Sequence, residues 1–384
     1  MPLLFRKRVL TAAVETTYGT DASPTGSNAI LVRNMSVTPQ DADLTDRDLV
    51  RPYIGRSEQL PSGIRARAEF EVEIAGTGTA GIAAGYGPLL RACGMAQTLL
   101  AAAVTGTAQA GATNTITLAA AASAVDGFYV GMPIAITGGT GSGQTAMITG
   151  YVGSTKIATV ARNWTVTPGA TSTYSISANA IYRPVSASFD SVSLYFNVDG
   201  VLHKLLGARG TVSVSMKVKD IPVFKFAMTG IYQAVTDTAA VTPVYTAFQT
   251  PLPVTNTNTS TFSLHGIGAV LSEMSIDMAV AIAHRTLVGG AEAVLITDRE
   301  PVGSFTVEAD TVANADWWTR ARSATLGSLG IIHGTTAGNR VSIASANVQL
   351  TTPTYVEMDG IAMVQMGANF VPVTGNDEMH ICVF

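Results

Sequence analysis

The sequence predicts a mainly β protein, a sandwich or barrel with one or two short flanking helices and a small inserted all-β domain. Its longest patterned segments alternate apolar and polar residues with period two, and helix-compatible stretches are few and short. Between residues 101 and 178 the composition shifts to Ala, Gly and Thr, and only Asp126, Lys156 and Arg162 are charged.

The elements follow in chain order. Residues 30–61 lack clean periodicity yet are crowded with charge: Asp41, Asp43, Asp46, Arg47, Asp48, Arg51, Arg56 and Glu58. They read as a long irregular segment that needs a partner to lie on. Residues 64–74, IRARAEFEVEI, set Ile64, Ala66, Ala68, Phe70, Val72 and Ile74 on one face, with Arg65, Arg67, Glu69, Glu71 and Glu73 on the other. Strict alternation over this length marks a half-buried antiparallel strand. A short helix is expected within 84–95.

The tract 101–178 carries its own candidate strands at 114–118, 132–137, 146–152, 156–160 and 174–176, with turn signals at Gly138-Gly139, Gly153 and Pro168-Gly169. It reads as a small β-barrel or sandwich inserted into a larger discontinuous domain, 1–100 and 179–384. Residues 185–198 alternate, but the phase slips near Asp190-Ser191, which predicts a β-bulge, and Asp199-Gly200 ends that strand in a turn. Residues 211–219 and 222–232 form a hairpin about the turn 219–222. The Thr/Pro/Asn-rich stretch 235–262 reads as a long surface loop or arm. A second helix is expected from an Asn314 cap, with Asp316 in its first turn, Arg320 and Arg322 later, and Gly327 as its stop. One of the adjacent Trp317 and Trp318 is expected in the core and the other against a neighbour. Strands at 340–350 and 354–366, and a turn at 375–377 before a short last strand, complete the pattern.

Composition limits what the chain does. Of its 384 residues, 47% are hydrophobic and only 13% charged, against about 25% charged in an ordinary soluble domain. A surface of Ser, Thr, Gly, Asn and Ala is poorly protected against self-association, so much of it is expected to be buried in an assembly. Net charge is −4 with no basic tract, which offers no footprint for gripping phosphates. The basic cluster Arg6, Lys7, Arg8 follows the short apolar run instead of preceding it, so no signal peptide is expected. No stretch of 18 apolar residues predicts a membrane span. Cys93 and Cys382 read as buried free thiols made in a reducing cytosol.

Candidate chemistry is thin. Gly76-Thr77-Gly78-Thr79-Ala80-Gly81 matches GxGxxG, but the strand before it carries three glutamates and no acidic ribose partner follows about 20 residues on. Residues 138–145 imitate a phosphate-binding loop with Gln144 where the lysine belongs, and a strand pattern follows instead of a helix. His203, His265, His284, His333 and His380 have no metal-ligand spacing. No catalytic, cofactor-binding or metal residues are expected, and no cofactor.

Several segments resemble the major tail tube proteins of long-tailed siphophages. They are Leu31-Val32-Arg33-Asn34 with Val37-Thr38-Pro39, the run from Arg47-Asp48-Leu49-Val50-Arg51-Pro52-Tyr53 to Gly55, and Phe70 through Gly76–Gly81 to Tyr86-Gly87-Pro88-Leu89-Leu90-Arg91-Ala92-Cys93-Gly94. The segment from Gly131-Met132-Pro133-Ile134 to Trp164 is similar to small β modules of phage structural proteins. The resemblance covers 30–94 and 180–230 best.

It implies a tail-tube-type β-sandwich, six copies forming a ring whose strands close one inner barrel, and rings stacked into a channel for DNA ejection. It also implies a virion tail location after assembly in the host cytoplasm. The implied partners are copies of itself, the tape measure, tail terminator and distal tail proteins, and phage DNA held transiently and non-specifically in the lumen; no membrane partner is implied. Asp46, Arg47, Asp48, Arg51, Tyr53 and Arg56 are then candidates for an inter-subunit or inter-ring clasp. Glu69, Glu71, Glu73, Lys217, Lys219 and Lys225 are candidates to face the lumen, the glutamates as a wall that repels phosphates. The insert is expected on the outer surface. The competing reading is a capsid decoration or surface adhesion protein whose insert binds glycans; it predicts clustered aromatics there, and the insert has only Phe128, Tyr129, Tyr151, Trp164 and Tyr174.

Overall fold

A computed structural model describes residues 2–384. Most of its strands form three stacked layers, which we name the front, back and insert sheets, and Val280–Arg285 pairs with Ala293–Arg299 as a separate two-stranded hairpin. The front sheet is antiparallel throughout. It runs Arg33–Thr45, Leu60–Glu73, Val223–Tyr232, Val201–Lys217, Leu271–Asp277, Val302–Glu308, Ile361–Phe370 and the second half of Val341–Met358.

The back layer has two wings. In one, Ala29–Ile30, Arg8–Val14 and Val192–Val198 pair onto the first half of Val201–Lys217. In the other, Thr261–Leu264, Leu326–His333, the first half of Val341–Met358, His380–Val383, Asn179–Pro184 and Met95–Leu100 lie in order. The two longest strands therefore belong to both layers. Val201–Lys217 crosses over at a register shift around Gly207, whose φ of 57° is the left-handed conformation glycine adopts without strain, and the Tyr18 ring packs where a side chain would stand.

Alternation explains the layering. Phe70, Phe224, Phe226, Val212, Val214 and Met216 project from the front sheet into one core, where Phe70 and Phe226 stack with ring centroids 5.6 Å apart. The central back strands Asn179–Pro184 and His380–Val383 are buried on both faces. Ala180, Tyr182, Leu329, Ile331, Ile381 and Val383 enter that core, while Ile181, Ile332, Cys382 and Phe384 point the other way into a second core. The insert sheet closes this second core from outside. It comprises Val104–Thr107, Thr173–Ile176, Pro133–Gly138, Thr145–Val152, Ile157–Val160, Thr115–Thr117 and Ala110–Ala112. The segment 138–145 is the hairpin loop of two of these strands.

Several expectations are corrected. Residues 33–45 are a strand, not irregular chain. Met35 and Val37 are half-buried against the core and alternate with exposed polar residues, but the far end of the strand is exposed on both faces, so its apolar face is too short to set a clear period. The phase slip at 185–198 is not a bulge: the strands Asn179–Pro184 and Val192–Val198 are separate, divided by bends with Ser188 at φ 55°. Likewise 354–366 is two strands, because Asp359 and Gly360 (φ 52° and 79°) make a two-residue hairpin turn inside it. The first helix spans only Gly87–Ala92. The second is Trp317–Arg322, capped by Asp316 and not Asn314, and it ends at Ser323, since Leu326 already begins a strand and Gly327 lies within it. Trp317 is core, whereas Trp318 packs on Tyr355 of its own chain.

The Asp316 carboxylate accepts the Thr319 amide at 2.9 Å. Asp316→Ala is expected to lower the urea midpoint by removing this cap, whereas Asn314→Ala is expected to leave the midpoint in place.

Candidate functional site

The front sheet turns its second face away from both cores, and that face is polar. One row across it runs Arg33, Glu71, Lys225, Ser213, Asp277 in register. Glu73 stands one row on, with Ser215, Ser275 and Ser304 in register beyond it. The insert lies on the far side of the back layer, so this face and the insert are on opposite sides of the molecule.

The sequence suggested an acidic stripe at Glu69, Glu71 and Glu73, and the structure places it beside cations. Glu71 accepts hydrogen bonds from Arg33 Nε at 2.9 Å and Asn34 Nδ2 at 2.8 Å, and lies 3.6 Å from Lys225 Nζ. Burial pushes its carboxyl up, but these bonds outweigh burial and hold it below the ordinary carboxylate range. Glu73 is 3.7 Å from Arg33, and Lys217 is 3.9 Å from Glu273. Nearer the hairpin tip, Arg65 and Arg67 pair with Asp41 at 2.8 and 2.7 Å, and Arg65 also reaches Asp43 at 3.1 Å. Glu69 has no ion-pair partner among the described residues. The face is thus a charge-compensated polar wall with few free cations to hold a phosphate. Lys219 is not on it: that residue sits in the turn beyond Lys217, at φ 70°.

The clasp candidates gather at one end of the front sheet. Asp46, Arg47, Asp48, Arg51, Tyr53 and Arg56 all lie on the loop 46–59 that joins Arg33–Thr45 to Leu60–Glu73. Within it Arg47 and Arg51 pair with Glu58, Arg56 pairs with Asp46, and the Arg51 guanidinium stands over the Tyr53 ring. These pairs are exposed and contribute little to stability. The apolar side chains beside them have no cover: Val50 and Ile54 are fully exposed.

Both ends of the front sheet are unpaired edges. Among the described residues, Arg33–Thr45 pairs only with Leu60–Glu73, and residues 351–358 pair only with the strand beginning at Ile361. Sequence reasoning located neither edge. A signal was present: Pro353 interrupts one strand and Pro39 the other, each at a register shift, and a proline inside a strand pattern marks an edge. Such prolines also keep an open edge from pairing indiscriminately.

Nothing else gathers chemistry. No cluster of His, Cys, Asp and Glu able to hold a metal is found among the described residues. Gly76-Thr77-Gly78 is a packing contact: the Gly76 amide donates to Asn339 Oδ1 at 2.7 Å and Gly78 to the Gly338 carbonyl, leaving no room for a side chain at Gly76. Tyr129, Tyr151, Trp164 and Tyr174 fill the insert's own core and offer no aromatic platform to a glycan. No helix among the described residues is long and apolar enough to cross a membrane.

A family model described as phage tail tube protein matches residues 6–375. The chain belongs to the phage tail tube protein family. The resemblance read from 30–94 and 180–230 therefore extends over nearly the whole chain, and the chain is a structural component of a phage tail. No curated protein is significantly similar to it.

Proposed function

We propose that this tail tube protein polymerises into rings, six copies in each, and that stacked rings enclose the channel through which DNA leaves the virion. The observation that carries the reading is the front sheet: a polar, charge-compensated face bounded by two unpaired edges. In a ring, the edge at Arg33–Thr45 of one copy pairs with the edge at 351–358 of the next. Backbone groups that face water in the monomer then find partners, and the front sheets join into one barrel. The register shifts at Pro39 and Pro353 limit this pairing to short segments on either side of them, which sets one register.

The wall of that barrel carries Glu69, Glu71, Glu73, Lys217 and Lys225. With Lys225 and Arg33 engaged by glutamates, DNA meets serine hydroxyls and paired charges and slides without being held. The domain division 1–100 with 179–384, and 101–178, fits this placement, because the insert packs behind the back layer and so stands on the outside of the ring. The long connection 235–262 lies along its own subunit, with Val244 bonded to Gly26 and Gln249 to Gly76. Tape measure, terminator and distal tail proteins would meet the ends of the stack.

Negative-stain microscopy of the purified chain tests the reading. Rings or tubes are the expected result, and monodisperse single copies persisting at high concentration would overturn it.

A further inference from the structure

Two groups of exposed apolar side chains stand at opposite ends of the front sheet. At one end the loop 46–59 presents Leu49, Val50, Tyr53 and Ile54, the second and fourth of these fully exposed. At the other end a groove opens between the turn after Lys217, the segment 254–262 and residues 268–271. Val254 and Phe262 form its buried floor, and Val218, Val270 and Leu271 its walls; Val270 is 63% exposed. The two cannot meet within one copy. Leu60–Glu73 has 14 residues and runs from the loop to the groove end, where Ile74 bonds to Pro222. That separates them by roughly 45 Å at about 3.3 Å per residue.

Charge matches as well as hydrophobicity. The loop's arginines are taken up by Glu58 and Asp46, which leaves Asp48 as its acid without an ion-pair partner among the described residues. The groove is rimmed by Lys219 and Arg162, which also have no ion-pair partner among the described residues. An unpaired anion beside exposed aliphatic side chains thus faces, one copy-length away, two unpaired cations beside an apolar slot. A contact between unlike surfaces at the two ends of one molecule does not close on itself; it repeats along a line.

We propose that the tip of the 46–59 loop seats in this groove on a second copy of the chain, displaced along the strand direction into the next ring, with Ile54 and Val50 in the slot and Asp48 against Lys219 and Arg162. The proposal rests on the ring-and-stack reading above and adds the receptor for the loop. It also gives Arg162, one of three charges in the tract 101–178, a role in stacking.

The test uses the full chain. Ile54→Cys combined with Val270→Cys, oxidised after assembly, is expected to give a ladder of covalently linked oligomers on a non-reducing gel. Either single variant is expected to give none, because Cys93 and Cys382 are buried. Tubes that form from the double variant without a ladder would sink the proposal. Val50→Asp with Ile54→Asp, both at exposed positions that leave the fold intact, is expected to stop growth at single rings or to shorten tubes at least tenfold. Variant tubes as long as wild-type tubes would overturn the docking and leave the ring reading standing. Wild-type protein that forms neither rings nor tubes would instead remove the ring reading, and this proposal with it.

Discussion

Between pH 7 and pH 4 the melting temperature of the monomer will fall by roughly 5–10 °C, with the upper part of the fall, above about pH 5, preceding carboxylate titration. The cause is buried neutral histidine. His265 Nε2 donates to the Val348 carbonyl at 2.7 Å, and its Nδ1 is buried with no partner to receive a second proton. Burial, with Arg320 nearby, pushes it from the ordinary 6.5 down to about 4. His380, on the strand shared by both cores, is pushed down to about 3 by burial and by the Arg183 charge, and its Nδ1 is also unpartnered. His333 shifts the same way by burial, although its Nε2 donates to Leu252 and its Nδ1 accepts from Thr259.

The sign follows from linkage. Each folded-state value lies below the unfolded one, so the unfolded chain binds protons first as pH falls. Stability is complete above about 6.5 and is lost progressively toward the folded values. For His265 and His380 together the loss at pH 4 is on the order of 4–6 kcal/mol. Thermal scans across this window read the slope. His265→Gln, whose amide keeps a donor for Val348, is expected to flatten part of it; a wild-type melting temperature indifferent to pH between 7 and 4 would refute the account.

Arg299→Ala will destabilise the fold by about 3–5 kcal/mol, among the largest costs of any single substitution outside the apolar core. Arg299 Nη2 donates to Glu378 Oε1 at 2.8 Å, and the two side chains are only 10% and 5% exposed. The same guanidinium holds the Val185 carbonyl at 2.8 Å and Asn376 Oδ1 at 3.1 Å. One residue thus ties the front-sheet connection, the break at 185–191 and the last turn together. Removing it leaves Glu378 buried, ionisable and without a counter-charge, and Glu378 Oε2 already has no partner. The surface pair Arg56–Asp46, with both side chains more than 70% exposed, provides the contrast: Arg56→Ala is expected to leave the monomer's urea midpoint almost unchanged. The double variant Arg299→Met with Glu378→Leu should recover most of the loss, since no charge then remains stranded. A single-variant loss below about 1 kcal/mol would show that water reaches Glu378.

What could be read from the sequence tracks where an environment differs across an element. Residues 64–74 and 211–232 each face a core on one side and solvent on the other, so burial imposed an alternation visible without coordinates. Arg33–Thr45 buries only the short face of Met35 and Val37, and residues 351–358 are mostly exposed on both sides in the monomer. Their imprint is too short to read, so the first is read from sequence as irregular chain and the second is given wrong limits. His380–Val383 is buried on both faces, which also erases the period. Among the assembly candidates, the charged loop 46–59 stood out by composition alone, whereas its apolar neighbours Val50 and Ile54 became informative only once their exposure was known.

The sequence by itself determined a β-rich chain, low in charge, with an Ala/Gly/Thr-rich tract at 101–178 and the residues that mark it as a tail tube protein. Those properties are written in local pattern and composition, which need no knowledge of distant contacts. Only the tertiary structure decided that two strands cross between layers, that Arg33 and Lys225 compensate the glutamates, that Arg299 finds Glu378 across 79 residues of chain, and that both front-sheet edges lie open. Each of these depends on which residues, remote in sequence, the folded backbone brings within a few ångströms, and no local period encodes that.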